Sequence, residues 1–206
     1  MVRQAAPGNL ARRLFPLNLP NALTLIRILL VPVLVVALTV ETPGGDTIAA
    51  IVFAIAALTD GLDGYIARSR EAITTFGKVM DPIADKLLIA AALISLVSLD
   101  RVDAWVAMVI IAREFAVSGL RVAAGQQGIV IPASILGKAK TILQVAMVMA
   151  LIAADDSGAA WVQALVYAAV ALTLISGADY FLNVRKRIEE ARRRRLDQST
   201  GTRSTS

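Results

Sequence analysis

Apolar residues in this chain come in long runs, separated by short polar stretches. Six runs stand out, at roughly residues 22–40, 47–66, 80–99, 104–124, 133–154 and 159–182. Each is close to the ~20 residues that a helix needs to cross ~30 Å of hydrocarbon. The pattern predicts an all-α integral membrane protein with six transmembrane helices. Residues 1–20 form a short N-terminal juxtamembrane segment, in which Leu10 to Leu17 suits either a short interfacial helix or an ordinary basic flank. Arg12 and Arg13 before the first run resemble a signal-peptide start, but the run is too long for one and five more follow. The six-helix domain is expected over 21–184. A basic cytoplasmic tail follows over 185–206, disordered from about residue 196.

The charged residues orient these helices. With the N-terminus in the cytoplasm, the inward side receives Arg3, Arg12, Arg13, Arg68, Arg70, Lys78, Lys138, Lys140 and the cluster from Arg185 to Arg195. The outward loops receive Glu41 with Asp46, Asp100 with Asp103, and Asp155 with Asp156; Arg101 is the one clearly outward basic residue. This asymmetry follows the positive-inside rule and puts both termini in the cytoplasm. The net charge of +5 would suggest nucleic acid in a soluble chain. In a chain that is 57% hydrophobic, the basic residues act as topology anchors, and no nucleic-acid partner is expected. The run Arg192 to Arg195 is such an anchor, with contact to anionic lipid as a second use.

The chain has no cysteine and no histidine, which removes disulfides, thiolate catalysis and cysteine-ligated zinc. A general base must then be Asp, Glu, Lys, Tyr or a metal-bound hydroxyl. Lysine and tyrosine are protonated near neutral pH, so aspartate is the default. Four aspartates lie where membrane helices should be apolar. Asp60 and Asp63, followed by Gly64, Ala67 and Arg68, close one apolar run; Gly77, Asp81 and Asp85 open the next. Asp60 and Asp63 share a helical face that Gly64 and Ala67 continue with almost no side chain, leaving room for a bulky ligand. Gly77, Asp81 and Asp85 recur every four residues on one face of the following helix. Arg68 can offer its guanidinium to a phosphate. Two hard cations ~3.5–4 Å apart would relieve the repulsion and clamp a phosphoryl transfer. The alternatives are a cluster satisfied by Arg68, Lys78 and Lys86 without metal, or an ion pathway. Against the latter, the acids gather at one membrane face and form no file across it.

Written out, the motif is D-x2-D-G-x2-A-R-x8-G-x3-D-x3-D. It resembles the signature of the CDP-alcohol phosphotransferase family, membrane enzymes of phospholipid synthesis, at every fixed position. The resemblance implies a six-helix core, a homodimer and a site on the cytoplasmic side of a bacterial inner membrane. It implies that Asp60, Asp63 and Asp81 hold two divalent cations, Mg2+ or Mn2+, with Asp85 near the second ion and acting as catalytic base. CDP-diacylglycerol would lie against Asp60, Gly64, Ala67, Arg68 and Gly77.

Residues outside the signature bear on the acceptor. Asn21 and Thr24 open the first run, Arg113 and Arg121 lie in the fourth, and Lys138 and Lys140 start the fifth. They look like the branch that uses sn-glycerol 3-phosphate, with Asn21 and Thr24 at the CDP-lipid and the four basic residues at the acceptor phosphate. Each has a plainer reading: helix capping for Asn21 and Thr24, topology flanking for Lys138 and Lys140, a structural ion pair for Arg113. Arg113 is expected to pair with its neighbour Glu114 only awkwardly, since adjacent residues diverge on a helix. Sister enzymes that use phosphatidylglycerol or a phosphorylated inositol stay open, as does a cation transporter.

Overall fold

The computed structural model describes the backbone of residues 19–40, 42–70, 75–126 and 134–201, and the side chains of 22–40, 42–59, 83–84, 86–126 and 134–190. Six helices follow one another: α1 (Leu19–Thr39), α2 (Gly45–Arg70), α3 (Thr75–Ser98), α4 (Ala104–Gln126), α5 (Ile135–Ala153) and α6 (Ala160–Gly201). There is no strand among the described residues. The six apolar runs and the six helices coincide to within a few residues except at the end of α6.

α1 packs on α2 and α3; α5 packs on α6, α2 and α3; α4 packs on α3 and α6. α4 and α5 do not pack closely on each other. Phe53, Leu93, Leu96, Ile110, Met147, Leu151 and Ile152 fill the core. The outside is apolar as well: Leu29, Leu58, Met108, Val122, Ile142 and Leu174 are all exposed. The inside holds polar groups, with Arg27, Lys140, Gln144, Thr173 and Ser176 buried. A water-soluble surface avoids contiguous apolar area on this scale. This is the distribution of a membrane protein, with lipid-facing apolar side chains and inward-facing polar ones.

By length and composition, three described segments can cross a membrane: Ala22–Thr39 of α1, Ile135–Ala153 of α5 and Ala160–Glu190 of α6. Gly45–Thr59 of α2 and Lys86–Ser98 of α3 are shorter apolar stretches that lead away from the aspartate motif. α4 is set apart by its charges: Arg113, Glu114 and Arg121 fall in every 18-residue window of it.

The helix ends explain several polar residues. Asp100 takes φ 54°, and the N–H groups of Asp100 and Arg101 bond back to Val97 O (3.1 Å) and Leu96 O (2.9 Å). That is a Schellman cap on α3, with aspartate where glycine is usual. Arg101 then bonds Asp46 at 2.6 Å and Ile152 O at 3.1 Å. It ties the start of α2 to the end of α5, which gives this basic residue a structural use. Ser134 caps α5 by accepting from Gly137 N–H at 3.0 Å.

The tail departs from expectation. α6 runs unbroken for 42 residues to Gly201, through the stretch expected to be disordered from about 196. At 1.5 Å per residue it is roughly 63 Å long, about twice the hydrocarbon thickness. Arginine, glutamate and alanine are good helix formers, and Arg185 pairs with Glu189 one turn on at 3.2 Å. The helix therefore continues after its apolar part ends.

The α1–α2 turn is tight at Gly45, where an added Cβ would lie 2.9 Å from the carbonyl oxygen of Ala37. Gly45→Ala should cost about 1–3 kcal/mol through backbone displacement. Gly119→Ala, on open helix surface with nothing within 4 Å, should be neutral or gain about 0.5–1 kcal/mol. Thermal unfolding in detergent checks both, and an unchanged midpoint for Gly45→Ala would contradict the close approach.

Candidate active site

The aspartate motif spans two neighbouring helices. α2 carries Asp60, Asp63, Gly64, Ala67 and Arg68 in its final turns; α3 carries Gly77, Asp81 and Asp85 in its opening turns. α2 and α3 are in contact. The side chains of these residues, and of Asn21, lie outside the described residues. The donor chemistry of the set suits a hard divalent cation: four carboxylates and, in a chain without histidine or cysteine, no softer competitor. Among the described residues no second cluster of metal-binding side chains occurs.

Thr24 lies beyond the first turn of α1, which begins at Leu19, so it is not an N-cap. Its side chain is buried in the bundle, one turn before the buried Arg27.

The four basic residues proposed for the acceptor meet in one place. Arg113 and Arg121 from α4 and Lys138 and Lys140 from α5 line a cavity of about 370 Å³. It fills the gap between α4 and α5, with Ser176 and Tyr180 of α6 behind it. Lys86 of α3 completes the wall, next in sequence to Asp85. Lys86, Arg121, Lys138 and Lys140 lie in the helix halves nearer the aspartate motif in the chain's alternating course, and Arg113 lies near the middle of α4. A smaller cavity of about 160 Å³ at the opposite end, against Arg101, Trp105 and Tyr167, has no such link.

Inside the cavity the charges are ordered by a ring of hydrogen bonds. Arg113 donates from Nη1 to Glu114 Oε1 (3.0 Å) and from Nη2 to Ser176 Oγ (3.0 Å). Lys140 Nζ also donates to Glu114 Oε1, and on its other side lies 3.4 Å from Gln144 Oε1. Gln144 donates to Thr173 Oγ1 (2.9 Å), and Ser176 Oγ donates to Thr173 O (3.1 Å). α4, α5 and α6 are thereby joined by polar contacts. Gly177 makes room for Arg113: a Cβ there would lie 3.2 Å from Arg113 Cγ. Lys138 and Arg121 stay exposed at the rim, and Arg121 stacks over the Tyr180 ring with Cζ 5.5 Å from its centroid.

Two points differ from the sequence reading. Arg113 and Glu114 do pair, although adjacent on the helix. Both side chains are long enough to bend toward the same cavity, and Lys140 anchors the carboxylate there. Ser176 and Tyr180 also line the cavity and were not picked out, and Glu114 entered only as the neighbour of Arg113. A single polar residue in an apolar helix has no spacing signal; its role emerges only when α4, α5 and α6 meet.

Carboxylates on one pair of helices and a basic cavity lined in part by the second of them, within an apolar bundle, suit a membrane enzyme acting on phosphorylated substrates. The chain belongs to the CDP-alcohol phosphatidyltransferase family, whose model matches residues 17–175. A CDP-diacylglycerol–glycerol-3-phosphate 3-phosphatidyltransferase of Rickettsia felis is 40% identical over 174 residues, covering 82% of this chain and 96% of its own. A protein of the same name from Bacillus subtilis is 41% identical over 180 residues, covering 80% and 93%. A protein of Mycobacterium tuberculosis named "Probable phosphatidylglycerophosphate synthase" is 42% identical over 182 residues, covering 86% of each chain.

Glu114 answers two cations, so removing its charge takes from both the carboxylate that they share. Glu114→Gln is expected to destabilise the protein by about 3–5 kcal/mol. Adding Lys140→Met should recover part of the loss. A double variant whose destabilisation equals the sum of the two single ones would rule out the coupling.

Proposed function

We propose that this chain transfers the phosphatidyl group of CDP-diacylglycerol to sn-glycerol 3-phosphate, forming phosphatidylglycerol phosphate and releasing CMP. The observation that carries this reading is the cavity, where Arg113, Arg121, Lys138, Lys140 and Lys86 gather beside the helix of Asp85. A basic lining of this kind suits a small acceptor that carries a phosphate better than a neutral alcohol. The relatives of Rickettsia felis and Bacillus subtilis, named for this reaction, support the same assignment.

The family is in general dependent on divalent cations. Asp60, Asp63 and Asp81 would hold two of them, Mg2+ or Mn2+, with Asp85 close to the second. When bound, they supply neutralisation of charge on the pyrophosphate oxygens and the departing CMP. Arg68 adds a contact to the pyrophosphate. Gly64, Ala67 and Gly77 leave space for cytidine and phosphates, with Asn21 and Thr24 bordering the CDP-lipid. The basic cavity holds the acceptor phosphate and so aims its hydroxyl. Asp85 takes the hydroxyl proton as the oxygen attacks the β-phosphorus. The bond from that phosphorus to the CMP oxygen breaks, and CMP leaves with the electron pair.

We read the six helices as six membrane spans, with α2, α3 and α4 crossing despite the charges they carry. Both termini and the site face the cytoplasm of a bacterial inner membrane, the protein acts as a homodimer, and residues 21–184 form the catalytic domain, flanked by the juxtamembrane segment 1–20 and the basic tail 185–206.

CMP release by purified protein in detergent, with CDP-diacylglycerol, Mg2+ and one alcohol at a time, tests this reading. Release is expected with glycerol 3-phosphate and not after EDTA. Release only with phosphatidylglycerol or an inositol phosphate would move the chain to a sister activity. CMP release with no alcohol at all, or liposome ion flux in its place, would end the reading. Asp85→Asn should fold and insert but lose turnover by a factor of about 100–10,000, the usual weight of a general base. Wild-type rates in that variant would remove Asp85 as base. Lys138→Ala should raise the glycerol 3-phosphate KM well above any change in the CDP-diacylglycerol KM, and equal rises would take Lys138 out of the acceptor site.

A further inference from the structure

The inward stripe of α1 changes character part-way along. Leu38, Leu34 and Val31 are buried and apolar, and the same stripe continues through Arg27 and Thr24, which are buried as deeply. Arg27 is 1% exposed and is the largest fully buried side chain among the described residues. A cation withdrawn so far from solvent has to be answered by other groups of the protein, and Arg27 is not free. α1 packs on α2 and α3. Apart from Asp46, which joins Arg101 at the far end of the bundle, the acidic residues of those two helices are Asp60, Asp63, Asp81 and Asp85. The register puts these positions where the buried faces continue. Ala49, Phe53 and Ala56 of α2 lead on to 60 and 63, and Leu96, Ala92 and Leu88 of α3 lead back to 85 and 81. Both series keep the three-and-four spacing of one helical face. The levels agree as well. Arg27 lies 12 residues before the end of α1, and Asp60 lies 15 residues after the start of α2, across the tight turn at Gly45. At 1.5 Å per residue their backbones are within about one helical turn of each other along the bundle. Side chains of a helix lean toward its N-terminus, which for α1 is the aspartate end.

We propose that Arg27 is a positioning residue of the aspartate motif, its internal counter-cation, answering part of the carboxylate charge before any divalent cation binds. This rests in part on the divalent-cation reading above and deepens it. Four carboxylates on two packed helices repel one another where little water screens them. A guanidinium brought in from α1 stabilises the metal-free protein and ties the three helices together at the site. The same fixed positive charge opposes the entry of dications. Its removal should therefore lower metal-free stability and tighten metal binding at once, a pair of changes that lost packing alone does not produce.

Arg27→Met keeps an unbranched stem and removes the charge; Arg27→Lys keeps the charge. Thermal unfolding of the purified protein in detergent, first in EDTA and then across a Mg2+ titration without substrate, reads both effects. Arg27→Met should melt below wild type in EDTA, and its half-saturating Mg2+ concentration should fall about tenfold. Arg27→Lys should hold that concentration within about threefold of wild type. A lower melting point with an unchanged or raised Mg2+ midpoint would overturn the proposal, since a purely structural arginine gives that result. A second arm needs no metal. In EDTA, Arg27→Met is combined in turn with Asp60→Asn, Asp63→Asn, Asp81→Asn and Asp85→Asn. At least one pair should lose less stability than the sum of its single changes, and additivity in all four overturns the proposal. If Mg2+ does not stabilise wild type, the divalent-cation reading fails, and the metal-free cycles alone decide on Arg27. If Arg27→Met does not fold, its recovery by one of the Asp→Asn changes supports the pairing, and failure with all four overturns it.

Discussion

One carboxylate governs the functional half of this bundle. Glu114 sits in the interior of α4 and accepts from Arg113 of its own helix and Lys140 of α5. Two cations inside an apolar bundle would otherwise repel each other and their helices. A membrane interior offers no water to screen them, so the charges must be answered by other side chains. Glu114 does this while leaving an excess of positive charge along the cavity wall. The rest of the ring, through Gln144, Thr173 and Ser176, satisfies the polar groups that complete the contact between α5 and α6. The cavity is thus a gap between α4 and α5 kept open by charge, where two apolar faces would have closed on each other.

The opposite end of the bundle solves a different problem. There Arg101 joins Asp46 and the carbonyl of Ile152, closing the start of α2 on the end of α5. Arg101 lies in the turn between α3 and α4, so this contact also fixes where α4 begins. The arrangement is closed and polar at one end, open and basic at the other. An apolar middle, with Phe53, Leu93, Ile110 and Met147 fully buried, holds the two ends at a fixed distance.

The sequence made the helices legible because membrane helices announce themselves by length. A run of about twenty apolar residues has few other uses. It also carried the aspartate motif, whose fixed spacing needs no tertiary knowledge. What it hid falls into two kinds. The end of α6 was misjudged because loss of hydrophobicity is not loss of helicity: Arg185 and Glu189 support the helix after lipid no longer does. The ring around Glu114 was hidden because its members are isolated in sequence. Ser176 and Tyr180 sit in an ordinary apolar helix, and nothing in their neighbours marks them. Gly177 marks the place, since its missing side chain admits Arg113, but that reason is visible only once α4 and α6 are seen together.

The same reasoning bears on how one chain can bind two phosphorylated substrates without confusing them. On the proposed reading, the aspartates on α2 and α3 would hold the donor through divalent cations, which favour a pyrophosphate. The wall made by α4, α5 and α6 attracts through fixed nitrogen donors and asks for a terminal phosphate. Lys86, one residue from Asp85, stands where the two kinds of recognition meet. On the proposed reading, the carboxylates of α2 and α3 and the cations of α4 and α5 give each substrate its own binding surface.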